Sequence, residues 1–161
     1  MAVIHAPSEF VATTPLVSAA APTLPPITLL LVEPQFLLRR TVAAVARDMR
    51  LAHPQEITTI EAASRLVALH PFDALFLSLD EEDAALELMQ RVRSGETKCL
   101  PTTPIAVTAA ACDTPLALRL KTLEVRRLLL RPFKVKGVLD AIVALRPSPP
   151  APDAAPLPRA A

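Results

Sequence analysis

The sequence contains no tryptophan and no tyrosine, and only five phenylalanines, three histidines and two cysteines in 161 residues. Each scarcity removes a class of function. Cys99 and Cys112 are too few for a disulfide framework and not at metal-binding spacing, so both read as reduced thiols of a cytoplasmic protein. His5, His53 and His70 are scattered, and no pair has the spacing that a zinc site uses on a helix or turn. No window of about 18 uninterrupted apolar residues occurs, which argues against a membrane span. The formal net charge of +1 excludes a surface wholly devoted to nucleic acid but leaves local patches open.

What is abundant is hydrophobic residues, 52% of the chain, enough for one domain with a real core. The 18 prolines draw its boundaries. Residues 1–26 and 147–161 are rich in Ala and Pro, and a run such as Ser18-Ala19-Ala20-Ala21 is cut off at once by Pro22. Both segments read as disordered tails around a domain over 27–146. The first tail has no Lys or Arg before Arg39, and Pro7, Glu9 and Pro15 interrupt its apolar stretch, so export is not expected.

Between the tails, strand-like and helix-like patterns alternate. Ile27–Val32 is a short apolar run with the length of a buried strand. Pro34 suits a first helical turn and opens a helix to about Leu51, with Phe36, Leu37, Val42, Val45 and Met49 as its apolar positions. Strands follow at Gln55–Ile60, Asp73–Leu79, Pro104–Thr108 and Arg127–Leu130. The intervening helices are Ala62–His70, stopped by Pro71, Ala84–Ser94, capped by Gly95, and Thr114–Leu123, with Val135–Leu145 last. Five βα units predict an α/β fold, a (βα)5 three-layer sandwich around a five-stranded parallel sheet of flavodoxin type, with its site at the carboxyl ends of the strands.

Four segments carry a resemblance: Leu30-Leu31-Val32-Glu33-Pro34 and the residues on to Arg40, His70-Pro71-Phe72-Asp73-Ala74-Leu75-Phe76-Leu77-Ser78-Leu79, Pro104-Ile105-Ala106-Val107-Thr108-Ala109, and Leu130-Arg131-Pro132-Phe133. Together, in order and spacing, they resemble the receiver domain of bacterial two-component response regulators over residues 27–146. The resemblance implies phosphoryl transfer from a histidine kinase or histidine phosphotransferase to an aspartate ending the third strand, with a divalent cation held by acids.

This chain departs from that pattern at most of the chemical positions. The acidic pair after the first strand is Glu33-Pro34, and the acceptor position is Ser78. Thr108 keeps the expected hydroxyl, Leu128 replaces an aromatic, and Arg131 replaces the lysine before Pro132. A serine hydroxyl without an adjacent base is a poor nucleophile, so the leading reading of Ser78 is a small polar residue filling a vacated site. Asp80 lies two residues further on the same strand face and offers a cation one oxygen. Its plainer reading is one member of a solvated acidic loop with Glu81, Glu82 and Asp83. Arg131 needs a carboxylate if it points inward, and Glu33 is the expected partner, in an ion pair that replaces metal and phosphoryl group. The alternative is an Arg131 that reaches solvent.

From Thr114 to Arg146 the cations Arg119, Lys121, Arg126, Arg127, Arg131, Lys134, Lys136 and Arg146 face only Glu124 and Asp140. By the resemblance, the fourth helix, fifth strand and fifth helix form the docking and homodimer surface. Two readings of the basic residues there stay open: docking of a protein, and binding of cyclic di-GMP by Arg119, Lys121, Arg126, Arg127, Lys134 and Lys136. Stacking partners are scarce, with Phe133 the only ring nearby, so protein docking leads. No reader domain for DNA is expected. The expected function is a stand-alone degenerate receiver, or pseudo-receiver, acting as a phosphorylation-independent interaction module in two-component signalling. Its expected partners are a histidine kinase, a histidine phosphotransferase or another signalling protein, and no cofactor, metal or enzymatic activity is expected. A residual phosphoacceptor in a phosphorelay is the remaining alternative.

Overall fold

The computed structural model describes residues 24–147. The strands are β1 (Ile27–Val32), β2 (Ala52–Ile57), β3 (Ala74–Ser78), β4 (Ile105–Ala109) and β5 (Arg127–Leu130), and the helices between and after them are α1 (Phe36–Asp48), α2 (Ile60–Leu69), α3 (Glu82–Ser94), α4 (Thr114–Thr122) and α5 (Val135–Leu145). All strands run parallel in one sheet of order β2-β1-β3-β4-β5. The strand order reverses direction between β1 and β3, and a crevice at the carboxyl ends of these two strands results from that reversal.

Alternating side chains send the strands' leucines into two cores, which is why the central strands read as continuous apolar runs. Leu30, Val32, Leu75, Leu77, Ile105 and Val107 pack with Val67, Met89 and Leu120 on the side of α2, α3 and α4. Leu29, Leu31, Phe76 and Ala106 pack with Val42, Ala46, Val138 and Ile142 on the side of α1 and α5. β3 and β4 are buried at every residue.

Local chemistry sets the helix ends. The Thr59 hydroxyl accepts from the Ala62 N–H at 3.2 Å, and the Asp113 carboxylate accepts from the Leu116 N–H at 2.9 Å, with Pro115 in the first turn. Gly95 closes α3 at φ 82°, a left-handed geometry that glycine adopts without a Cβ penalty. Arg93 ties α3 to two turns later in the chain. Its guanidinium donates to the carbonyls of Leu123 (2.7 Å), Pro101 (2.8 Å), Thr103 (2.7 Å) and Glu124 (3.4 Å), joining the loop before β4 to the α4–β5 turn.

Three expectations are corrected. The first helix begins at Phe36 rather than Pro34, and its buried stripe is Val42, Ala43 and Ala46. Phe36, Leu37 and Met49 are 59%, 75% and 55% exposed, because small alanines, not the largest side chains, let α1 lie close to the sheet. The second strand begins at Ala52 and contains Pro54; at a sheet edge its missing N–H has no ladder partner to lose. The second helix starts at Ile60, two residues early, because Thr59 supplies the cap.

The expected disorder of the tails falls on residues 1–23 and 148–161, outside the described residues, apart from a few at the domain's edge. There the Arg146 guanidinium donates to the carbonyls of Leu24 and Pro25, bringing the two ends of the described chain together. Among the described residues no helix is long and apolar enough to cross a membrane.

Candidate functional site

The carboxyl rim of the sheet gathers Glu33, Pro34, Ser78, Asp80, Thr108 and Arg131. Glu33 follows β1 directly and is 1% exposed. One of its carboxylate oxygens accepts from the Gln35 N–H at 2.9 Å, and the other accepts from the Thr108 hydroxyl at 3.3 Å. Thr108 sits opposite Ser78 in the β3–β4 register, so the parallel pairing itself delivers both hydroxyls to one level. Burial pushes the Glu33 pKa above the usual carboxylate range, against the opposing pull of the Gln35 N–H and of the Arg131 charge.

Ser78 ends β3 and is 2% exposed. Its hydroxyl oxygen accepts from the Asp80 N–H at 3.3 Å, a local serine turn that shapes the exit of the strand. That bond turns the Asp80 carboxylate toward Arg131. The guanidinium, at the end of β5, donates through one nitrogen to one Asp80 oxygen at 3.1 Å and through the other to the second oxygen in a shorter contact. The Arg131 side chain is 13% exposed and that of Asp80 32%. The Arg131 hydrogen bond holds the Asp80 carboxyl below its ordinary value, and Asp80 in turn raises the guanidinium further. Arg131 Nε is buried without a hydrogen-bond partner.

The expected Glu33–Arg131 ion pair is therefore corrected: the partner is Asp80. Glu33 is drawn inward beneath Thr108, where ionisation is costly, whereas Asp80 stays near solvent and keeps its charge at lower desolvation cost. Asp80 is likewise not simply one of four solvated acids. Glu81 precedes α3 and Glu82 and Asp83 open its first turn, all exposed, while Asp80 pairs with Arg131. The signal for this in the sequence was its spacing from Ser78. The Gln35 N–H, the donor to Glu33, has no sequence signature, because any residue but proline supplies it.

The donor set does not fit a hard divalent cation. Mg²⁺ takes about six oxygens in octahedral geometry. Here both Asp80 oxygens face one guanidinium, both Glu33 oxygens accept hydrogen bonds, Pro34 brings no side-chain oxygen and Ser78 brings a neutral one. The pocket among Pro34, Thr58, Ser78, Asp80 and Glu81 measures about 30 Å³, room for about one water. Ser78 has no histidine or unpaired carboxylate bonded to its hydroxyl. Leu128 is half-buried and packs against the α2–α4 core, not into the rim.

The basic residues do not converge on one pocket. Arg126 donates to the Ala144 carbonyl at 3.0 Å and lines a groove of about 410 Å³ with Leu24, Pro25 and Pro147, at the opposite end of the sheet. Arg127 lines a shelf of about 450 Å³ against α5. Arg119 and Lys121 are exposed in the last turn of α4 and Lys134 at the start of α5, while Lys136 pairs with Asp140 at 3.9 Å.

Comparison with protein-family models and with curated proteins gives no match. Solved structures do match. A response regulator from Thermotoga maritima aligns at 20% identity and TM-score 0.64, covering 76% of this chain and 98% of its own. The chemotaxis response regulator CheY4 of Vibrio cholerae aligns at 16% and 0.65, over 75% and 99%. The pilus assembly protein CpaE from Caulobacter crescentus aligns at 23% and 0.62, over 76% and 95%. At these identities the likeness shows the fold.

Proposed function

Starting from a chain that carries the receiver fold, we propose that it is a pseudo-receiver: a docking module of bacterial two-component signalling whose rim is held in one state by Arg131 and Asp80 instead of cycling through a phosphoaspartate. The two-point contact between these side chains carries the reading. A guanidinium cannot be deprotonated near neutral pH, so it supplies a permanent positive charge at the rim. A metal and a phosphoryl group would have to displace it from Asp80 and find oxygens that are already engaged. Ser78, tied into its own turn, supports the same reading.

The partners this reading favours are signalling proteins such as a histidine kinase or histidine phosphotransferase. The structural neighbour named for pilus assembly favours keeping the partner class wider than kinases. Cyclic di-GMP has less support, because Arg126 and Arg127 line different cavities. The direct test is incubation with a phosphohistidine donor and magnesium, followed by intact-mass spectrometry. No phosphoryl adduct is expected; an adduct on Ser78 or Asp80 overturns the proposal.

A further inference from the structure

The two edges of the sheet differ in a way that points to a partner. β2 is protected at its outer edge: Pro54 removes an N–H, and His53, Gln55 and Glu56 are polar, with Arg39 and Arg47 both drawn onto Glu56. β5 has fewer of these devices, one exposed charge at Arg127 and three leucines after it. It is Arg-Leu-Leu-Leu without proline, pairs only with β4, and leaves Leu130 48% exposed. Beside it, on the α5 side, lies the shelf of about 450 Å³ lined by Arg127, Leu129, Gly137, Asp140, Val143 and Ala144. Gly137 lets α5 stay close here, since a Cβ at that position would meet Leu129 Cδ2 at 3.3 Å.

From this contrast we infer that the outer edge of β5 takes up an extended segment of a partner protein as a sixth strand, about four residues long, with apolar side chains at its centre and carboxylates at its ends. The inference rests on the reading of the chain as an interaction module. Backbone N–H and C=O groups of an unpaired edge supply the affinity, and side chains over the shelf supply the selection. Charge complementarity identifies the occupant. Arg127 is exposed and has no ion pair among the described residues, and Arg126 and Lys134 lie just beyond the strand. An Asp or Glu opposite Arg127 makes a favourable cross-strand pair. A second copy of this chain fits less well. Two-fold antiparallel pairing centred between Leu128 and Leu129 would set each Arg127 against a Leu130 and give it no carboxylate.

The probe is a synthetic peptide with a Val-Leu-Val centre flanked by two glutamates at each end, titrated into the full chain and followed by amide NMR. Saturable shifts are expected at Arg127–Leu130. Alternate N-methylation of the peptide, and replacement of its glutamates by lysines, should each weaken binding about tenfold or more. Arg127→Glu, an exposed change compatible with folding, should reverse the preference toward the lysine peptide. The inference is overturned if no saturable shift appears at β5, if the N-methylated peptide binds equally well, or if Arg127→Glu leaves the charge preference unchanged. Self-association through β5 in sedimentation before any peptide is added also overturns it. Because none of these readouts involves phosphoryl transfer, their failure is distinct from failure of the pseudo-receiver reading.

Discussion

Arg131 and Asp80, 51 residues apart in sequence, meet across the carboxyl rim and join the end of β5 to the β3–α3 turn through two hydrogen bonds. That single contact links a largely buried guanidinium with a carboxylate near solvent.

Breaking the pair from one side leaves the other charge short of partners. Arg131→Ala and Asp80→Asn should each destabilise the fold by about 1–2 kcal/mol, less than a fully buried pair because Asp80 is partly solvated. Urea unfolding of both variants and of the double variant closes a double-mutant cycle. The double variant should lose less than the two singles combined. Full additivity would mean that the side chains do not interact.

The two carboxylates respond to pH in opposite senses. The folded pKa of Asp80 is depressed from 3.8, so its contribution is fully present above that value and is lost as pH falls through the lower folded pKa. The folded pKa of Glu33 is raised from 4.5 by burial, so the folded state binds the proton more tightly and this term costs stability as pH rises from 4.5 through the folded value. The stability advantage of the parent chain over Asp80→Asn should therefore begin to fall below pH 3.8 and vanish once pH has dropped past the folded pKa. Glu33→Gln, which can still accept from Gln35 N–H and meet the Thr108 hydroxyl, should gain on the parent as pH rises above 4.5. Stability measured from acid to neutral pH for the three proteins checks both signs.

Arg93 serves four carbonyls from one side chain. Arg93→Ala should cost about 2–3 kcal/mol by urea denaturation, as hydrogen bonds from a charged donor are lost together. Arg93→Lys should recover only part, since an ammonium lacks the planar fork. Hydrogen exchange should speed up at the α4–β5 turn around Leu123 and Glu124.

The order and type of all ten elements were legible because the central strands are runs of Leu, Val and Ile between proline, glycine and capping residues. Ile27–Val32, Arg127–Leu130 and Val135–Leu145 match to the residue. β2 was displaced because His53 and Pro54 look like loop residues unless the strand is known to lie at an edge. The face of α1 was read only in part: Val42 is buried and Val45 packs against the core, but counting large side chains overlooks that Ala43 and Ala46 mark close approach. Topology gave the carboxyl ends of the strands as the site, and the resemblance to receiver domains picked out Glu33, Ser78, Thr108 and Arg131 there. Which acid meets Arg131 did not follow. Spacing gives the level of each group on the rim, whereas burial draws Glu33 inward and leaves Asp80 to reach across.

In the proposed pseudo-receiver the Arg131–Asp80 contact occupies the rim in place of a metal and a phosphoryl group. Amide NMR of the full chain, titrated with magnesium and then with beryllofluoride, tests it most directly. The resonances of Ser78, Asp80, Thr108 and Arg131 should stay where they are at saturating additions of both. A saturable shift of those four amides, with release of Asp80 from Arg131, would contradict it.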